Sequence, residues 1–268
     1  MVKSMKERVI SAIVALIIVI PLIILGGYSY YVGVGIISII GYYEILNIRE
    51  KEKKINPLVK ALTLISYLCI VLSACFNKTN FNIDYRLILL DLFMCLLPLI
   101  TFAKRDYDGE DALMLVAITL FLGIAFNYLI VIRNINILYL LYTLLITVMS
   151  DTFAHFFGTK IGRYKLSPNI SPNKTIEGMI GGVTFGTFIG SMFFLTFINT
   201  EASIFFVVIM SLALSLVAEF GDLIFSAIKR RYGVKDYGNI MPGHGGVLDR
   251  LDSILFTVLA FSYLVSFF

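Results

Sequence analysis

The chain has 268 residues, of which 59% are hydrophobic and 15% are charged, and its formal net charge is +4. Soluble domains carry about 25% charged residues, so this composition leaves too little polar surface for a soluble globule. Repeated apolar runs of about 20 residues predict an all-α, polytopic integral membrane protein. No basic and aromatic residues interleave as they do in nucleic-acid-binding segments, so we expect no nucleic acid as a partner.

Nine apolar segments are candidate membrane spans. The first lacks a small-residue cleavage site, so we interpret it as a retained helix rather than a signal peptide. Pro21 predicts a kink in it, and Gly26 and Gly27 predict a tight connection to the second span. The span at 112–131 is the least certain of these segments and is open to interruption. The spans cover residues 9–26, 28–47, 58–75, 86–102, 112–131, 137–157, 176–198, 202–229 and 250–268.

Lys and Arg fall mainly in alternate loops. With nine spans and the N-terminus inside, all but three of the 22 basic residues lie on one side, the exceptions being Lys78, Arg86 and Arg133. Cytoplasmic loops are enriched in Lys and Arg, so this asymmetry predicts a cytoplasmic N-terminus. It also predicts that two long polar loops, 158–175 and 230–249, lie at the cytoplasmic face.

Cysteine and histidine are too few and too dispersed for a zinc site or a disulfide framework. We interpret Cys69, Cys75 and Cys95 as small buried hydrophobic residues. His155 is interpreted as a packed or interfacial histidine.

Carboxylates within or at the ends of spans are costly, and each is therefore a functional hypothesis. Glu219 and Asp222 lie three residues apart, hence on one face of span eight. Asp249 and Asp252 begin span nine at the same spacing. Carboxylates from different helices repel unless a cation lies between them, and hard oxygen ligands suit Mg²⁺ or Mn²⁺. The full set is Glu44, Asp91, Asp151, Glu177, Glu219, Asp222, Asp249 and Asp252.

A structural alternative exists for each carboxylate, namely capping of a helix N-terminus or pairing with a nearby base. We prefer this alternative for Asp91. Both interpretations stay open for Glu177 and Asp252, which begin helices. For Asp222 and Asp249 we prefer a metal site.

The loop 230–249 contains a glycine-rich turn around His244. Its neighbours Gly243, Gly245 and Gly246 allow backbone N–H groups to approach a ligand closely. We favour a position next to a phosphate, with a plain tight turn as the alternative.

The loop 158–175 ends in Ser171-Pro-Asn-Lys-Thr175, which leads directly into span seven. A helix N-terminus with a lysine and hydroxyl groups is an anion site, although an ordinary helix start has the same pattern. Together with a metal site on the same face, the segment predicts the second half of a polyphosphate pocket.

These segments resemble the signature of the phosphatidate cytidylyltransferases, also called CDP-diacylglycerol synthases. The resemblance covers about residues 150–252, and Met241 departs from it by standing where the family usually has Leu, Ile or Phe. Upstream, Glu219-Phe-Gly-Asp-Leu223 and the segment from Ser171 to Gly178 also resemble family motifs. The matching signature residues are Ser226, Lys229, Arg230, Lys235, Asp236, Gly238, Pro242, His244, Gly245, Gly246, Val247, Asp249, Arg250, Leu251 and Asp252.

The resemblance implies transfer of a cytidylyl group from CTP to phosphatidate, with Mg²⁺ as cofactor and a possible second cation. It implies a homodimeric multi-pass enzyme of the cell's inner (cytoplasmic) membrane, with its active site facing the cytoplasm. Residues 1–268 would form a single membrane domain. Within it, 1–135 match only in hydropathy and would be structural or dimer-forming, and 136–268 would be catalytic.

Site roles follow from the resemblance. Asp222 and Asp249 would bind Mg²⁺, while Asp151, Glu219, Asp236 and Asp252 would bind a second cation or support the ligands. Nucleotide binding would use Ser171, Asn173, Lys174, Thr175, Gly245 and Gly246. The catalytic set would also contain Lys229, Arg230, Lys235, His244 and Arg250, with His244 given no firm role as a base because a phosphate nucleophile is already ionised.

Two other functions remain as alternatives. A related lipid cytidylyltransferase or lipid kinase would act on a different lipid. An ion-coupled transporter would also place carboxylates in its spans, but usually near the midplane in repeated halves. Here the carboxylates cluster towards one face, and no internal repeat is visible.

Overall fold

The structure is a computed structural model. It describes residues 5–76, 84–102, 107–198, 203–241, 243 and 245–265. The helices are α1 Met5–Leu25, α2 Gly27–Arg49, α3 Pro57–Leu72, α4 Tyr85–Leu96, α5 Pro98–Phe102, α6 Gly109–Ile135, α7 Ile137–Lys160, α8 Ile176–Phe193, α9 Ile204–Arg231 and α10 Leu248–Leu264. A short 3₁₀ helix, Ser73–Cys75, follows α3, and a π-helix, Phe194–Ile198, follows α8. The strands are β1 Lys165–Ser167 and β2 Ser171–Thr175.

Long apolar helices dominate the described part of the chain and confirm the prediction of an all-α polytopic membrane protein. Six helical segments there are long and apolar enough to cross a membrane. They are Gly27–Arg49, Pro57–Cys75, Gly109–Ile135, Ile137–Lys160, Ile176–Ile198 and Ile204–Arg231.

The count of nine spans is not confirmed, for a different reason at each of three helices. In α1 the apolar part is only Ile13–Leu25. The predicted span at 86–102 is divided into α4 and α5 before Pro98, a residue that cannot donate the hydrogen bond that continues a helix. The last helix, α10, has 17 residues.

Two local expectations concern helix continuity. The connection between α1 and α2 is Gly26 alone, and both Gly26 and Gly27 adopt positive φ, so the connection is as tight as predicted. The region that was open to interruption forms one continuous helix of 27 residues, α6. The kink at Pro21 stays a prediction.

The chain divides into two compact units. The first comprises Met1–Ile135 and Asp236–Asp249, and the second comprises Asn136–Lys235 and Arg250–Phe268. The division between residues 135 and 136 falls where the sequence separates the N-terminal helices from the signature-bearing part. The segment Asp236–Asp249, however, packs with the first unit. A single membrane domain stays a prediction.

In the first unit, polar contacts join α2, α3, α4 and α6 within an apolar core. The rings of Tyr42 and Tyr67 stack at 5.1 Å, and the Tyr42 hydroxyl lies 2.6 Å from Thr63 Oγ1. Asp91 is fully buried and accepts hydrogen bonds from Ser66 at 2.6 Å and Thr119 at 2.7 Å. The carboxylate of Asp91 therefore joins three helices through two hydroxyl groups, in place of the helix cap or basic partner that the structural interpretation named.

In the second unit, glycines of α8 allow α7 and α9 to approach closely. A Cβ atom at Gly182 would lie 2.6 Å from the carbonyl oxygen of Ser150 and 3.0 Å from Glu219 Oε1. A Cβ atom at Gly186 would lie 2.7 Å from Ser215 Oγ. Lipid tails are as apolar as the helices, so the hydrophobic effect does not drive helices together inside a membrane. Close van der Waals packing at such small residues drives their association instead.

We expect Gly182→Ala to destabilise the protein by about 1–3 kcal/mol, because the added methyl group overpacks the contact among α7, α8 and α9. Thermal unfolding of the purified protein in detergent measures this change. Gly109→Ala is the matched control, since a Cβ atom at Gly109 meets nothing within 4 Å. An unchanged melting temperature in Gly182→Ala would contradict the close packing described here.

Candidate active site

A β-hairpin positions the residues before α8. Strands β1 and β2 are antiparallel, with Lys165 opposite Thr175 and Ser167 opposite Ser171. The side chain of Thr175 accepts a hydrogen bond from the Gly178 N–H at 3.1 Å and so caps the N-terminus of α8. The segment predicted as an anion site is therefore a strand that ends in a helix cap.

The carboxylate of Glu177 binds the backbone immediately before β1. It accepts hydrogen bonds from the backbone N–H groups of Arg163 at 3.1 Å and Tyr164 at 3.2 Å. Both interpretations of Glu177 were open in the sequence. In the structure it anchors the chain that follows α7.

Lys174 on β2 places its ammonium group between two carboxylates of α9. Its Nζ lies 2.9 Å from Glu219 Oε2 and 2.8 Å from Asp222 Oδ2. Ser150 on α7 donates a hydrogen bond to Glu219 Oε1 at 3.1 Å. The side chain of Glu219 is 1% exposed, whereas that of Asp222 is 28% exposed. Because a buried carboxylate requires a compensating charge, Lys174 stabilises Glu219. Asp222 contacts the same ammonium group but remains partly accessible.

The charge of Lys174 is insensitive to pH in the neutral range. Burial alone would lower the pKa of the Lys174 ammonium, but Glu219 and Asp222 outweigh burial and raise that pKa above its ordinary value of 10.5. The contribution of the Lys174 charge to stability is therefore fully present below pH 10.5 and is lost as the pH rises through the folded-state pKa of Lys174.

A polar cavity of about 610 Å³ opens beside this ion pair. Asp151 and His155 lie on its α7 side, one helical turn apart. The cavity thus contains both carboxylates for a cation and side chains that donate hydrogen bonds to an anion. Its lining consists of Asp151, Ala154, His155, Gly158, Thr159, Lys165, Asn173, Lys174, Thr175, Gly178, Met179, Glu219 and Asp222.

Basic side chains surround the C-terminal end of α9. The guanidinium group of Arg230 donates to the carbonyl oxygens of Ile170 at 3.1 Å and Val234 at 2.9 Å. Arg230 therefore ties the hairpin to the end of α9. Lys229 is buried and Lys235 is exposed. Their binding of phosphate stays a prediction.

In the first unit, the segment Asp236–Asp249, hereafter the signature loop, is held together by hydrogen bonds to Asp249. Asp249 Oδ2 accepts hydrogen bonds from the backbone N–H groups of Tyr237 at 2.7 Å and Gly246 at 2.9 Å. Met241 and Gly245 pair through two backbone hydrogen bonds, and Gly245 has a φ of 93°, which favours glycine. The predicted residues Pro242 and His244 lie outside the described residues.

The donor groups suit a hard cation. Among the residues that the structure describes, no three Asp, Glu, His or Cys side chains converge as a ready-made metal cage. Mg²⁺ does not require one, because it retains water and takes one or two carboxylates together with substrate phosphates. Asp222 on α9 and Asp151 on α7 both line the cavity, and their carboxylates could serve as such ligands.

The structure brings half of the predicted site residues of the second unit to one cavity. Asp151, Asn173, Lys174, Thr175, Glu219 and Asp222 all line it. Asp252 lies near enough for its charge to act on Asp151. Ser171 is on β2 outside the lining, Arg250 is exposed at the start of the second unit's last segment, and Asp249, Gly245 and Gly246 belong to the first unit.

Sequence reasoning missed Ser150, the hydrogen-bond donor to Glu219. Serine is common in membrane helices, so residue type alone does not distinguish this one. Its position immediately before Asp151 was the only available signal.

Comparison with known proteins gives a consistent result. The profile described as "Cytidylyltransferase family" matches residues 6–268. A phosphatidate cytidylyltransferase of Staphylococcus haemolyticus (strain JCSC1435) is 34% identical over 255 residues, which cover 95% of this chain and 96% of that protein. Phosphatidate cytidylyltransferases of Staphylococcus aureus (strain COL) and Staphylococcus epidermidis (strain ATCC 12228 / FDA PCI 1200) show the same identity and coverage.

These matches extend well beyond the signature segment, into the N-terminal helices that the sequence related to the family only by hydropathy. The predicted resemblance is confirmed over nearly the whole chain, and with it the expectation of an enzyme. The chain therefore belongs to the cytidylyltransferase family and is a nucleotidyltransferase.

Proposed function

We propose that this protein transfers the cytidylyl group of CTP to phosphatidate. The products are CDP-diacylglycerol, a precursor in phospholipid biosynthesis, and pyrophosphate. The observation that carries the proposal is the 34% identity, over 95% of the chain, to proteins named phosphatidate cytidylyltransferase. The alternatives of a lipid kinase and a transporter are not favoured by these relatives.

The proposed reaction is an in-line displacement. An oxygen of the phosphatidate phosphate attacks the α-phosphorus of CTP, forming one P–O bond while the bond to the β-phosphate oxygen breaks. Pyrophosphate leaves with the electron pair of that bond. Both reactants are anions and the nucleophile is already ionised, so the protein must mainly position the groups and neutralise their charge.

Lys174 and other polar or basic side chains would bind the nucleotide and neutralise its phosphates. Lys174 is held charged at the wall of the cavity, where an ammonium group attracts phosphate oxygens. Asn173 and Thr175, from the same strand, line the cavity and donate or accept hydrogen bonds to a nucleotide. Lys229, Arg230, Lys235 and Arg250 would neutralise the leaving pyrophosphate, with arginine suited to bidentate contacts.

We propose Mg²⁺ as the cofactor, with Asp222 and Asp249 as its protein ligands. When bound, Mg²⁺ supplies positive charge that stabilises the phosphates in the transition state. Asp151, Glu219 and Asp252 would support these ligands or bind a second cation. The support for Asp222 is its partly exposed carboxylate at the cavity, and for Asp249 its place in the family signature.

We also propose that the active site faces the cytoplasm from the inner membrane and that the enzyme is a homodimer. The skewed distribution of Lys and Arg supports the orientation. The homodimer rests on the family resemblance. Chemical crosslinking of the protein in its native membrane tests the dimer, and labelling of engineered cysteines in the 158–175 loop from each side tests the orientation.

Two labelled forms of CTP test the activity and distinguish its rivals. The purified chain is incubated with phosphatidate, Mg²⁺ and CTP labelled at either the α- or the γ-phosphate. Transfer of the α-label to the lipid fraction, with release of pyrophosphate, is the expected result. Transfer of the γ-label would identify a kinase. Transfer to a polyprenyl phosphate but not to phosphatidate would identify a different lipid substrate, and ion-dependent uptake into vesicles without either transfer would identify a transporter.

A further inference from the structure

Glu44 on α2 is the one carboxylate of the N-terminal helices that contacts the signature loop among the described residues. Its Oε1 accepts a hydrogen bond from the backbone N–H of Val247 and its Oε2 accepts one from Leu248, both at 2.8 Å. The three residues are buried. The contact joins positions more than 200 apart in sequence and belongs wholly to the first unit.

The two N–H groups held by Glu44 are at the start of α10. Groups at this position have no acceptor within their own helix, and the N-terminus of a helix attracts negative charge. Glu44 therefore caps α10 from another helix. These two hydrogen bonds explain how an acidic side chain is retained inside an apolar segment.

Two glycines of the signature leave space for the carboxylate of Glu44. A Cβ atom at Gly246 would lie 2.4 Å from Glu44 Oε1, and one at Gly238 would lie 2.5 Å from the same atom. Gly41, one turn before Glu44, allows Leu248 to approach α2, because a Cβ atom there would lie 3.0 Å from Leu248 Cδ2. Glycine at 238 and 246 leaves room for the Glu44 carboxylate, and glycine at 41 leaves room for Leu248, so the loop and α2 fit together as one arrangement.

The same loop segment holds Asp249. The Gly246 N–H donates to Asp249 Oδ2, while the next two N–H groups donate to Glu44. Of three successive backbone donors, the first is thus held by Asp249 and the other two by Glu44. Movement of the backbone at 246–248 would move the Asp249 carboxylate with it.

We infer that Glu44 is a positioning residue for cytidylyl transfer, which fixes the backbone of residues 246–248 and thereby the carboxylate of Asp249. The inference rests on the proposed function and on the assignment of Asp249 as a Mg²⁺ ligand. It gives the N-terminal helices a role in the chemistry in addition to packing.

The test compares Glu44→Gln and Glu44→Ala with the control Glu50→Gln in the full-length purified protein. Glu50 also accepts a backbone hydrogen bond, from Ile55 at 3.1 Å, and its other described partner, Lys60, is likewise outside the loop. Glutamine keeps the size of Glu44 but faces one of the two N–H groups with a second donor. We expect Glu44→Gln to lower kcat about 10- to 100-fold and to raise the Mg²⁺ concentration for half-maximal rate about tenfold, as is usual when the partner of a metal ligand is lost.

Amide hydrogen exchange provides a readout that does not depend on activity. Faster exchange at Val247 and Leu248 is expected in Glu44→Gln, with no change there in Glu50→Gln. A wild-type kcat and Mg²⁺ response in the folded fraction of Glu44→Gln would overturn the inference, even if the amount of folded protein fell. If the wild-type protein transfers no cytidylyl group, the proposed function fails. Unchanged exchange at Val247 and Leu248 would instead refute the contact itself.

Discussion

Asp222→Asn should lower the turnover of cytidylyl transfer by at least about 10³-fold while the protein remains folded. Asparagine removes the negative charge of a proposed Mg²⁺ ligand, whose contribution to a phosphoryl-type transition state is worth several kcal/mol. The structural cost is small, because Asp222 is 28% exposed and Lys174 retains Glu219 as its partner. Initial rates across a series of Mg²⁺ concentrations measure the effect.

Asp108→Asn is the matched control for this substitution. Asp108 also pairs with a lysine, its Oδ2 lying 2.8 Å from Lys53 Nζ, but it is exposed at the start of α6 and far along the chain from the signature segment. The same chemical change there should leave kcat within about twofold, as expected of surface substitutions. Turnover by Asp222→Asn close to the wild-type rate would eliminate Asp222 as a metal ligand.

Lys174→Met should destabilise the protein by about 3–5 kcal/mol and abolish turnover. It removes the cation from a carboxylate that is 1% exposed, and leaves Glu219 with the hydroxyl of Ser150 as its described donor. Removing one partner of a buried ion pair is strongly destabilising for this reason. Thermal unfolding in detergent at neutral pH measures the loss.

The double variant Lys174→Met/Glu219→Gln separates stability from activity. Neutralising Glu219 removes the unpaired buried charge, so most of the lost stability should return. Turnover should not return, because the ammonium group that we propose for phosphate binding is still absent. Recovery of both properties would show that Lys174 serves only to neutralise Glu219.

How far the sequence predicts this site depends on the kind of contact. The carboxylates Glu219 and Asp222 were recognisable from their cost in an apolar helix and from their spacing. That Lys174 lies between them was not, because the sequence assigned Lys174 to phosphate and Asp222 to metal separately. The two roles meet in one ion pair, so a substitution at either residue alters the other.

Helix boundaries show a similar limit. Hydropathy located every long helix, including α6, whose continuity was in doubt. The count of nine spans is not confirmed, and at 86–102 a window average passes over a single break, the one before Pro98. That boundary arises because proline lacks the N–H that would continue the helix, and mean hydropathy does not depend on backbone hydrogen bonds.

Hydropathy along the chain is enough to predict an all-α membrane protein, the resemblance of a continuous motif points to the cytidylyltransferase family, and the cost of charge in an apolar helix marks the candidate acidic residues, since each of these depends on neighbours along the chain. The tertiary structure alone decides which partner each carboxylate has. Glu219 pairs with a lysine 45 positions away, and Glu44 caps residues more than 200 positions away. Such contacts depend on how helices pack, through glycines whose importance appears only when the opposing surface is known.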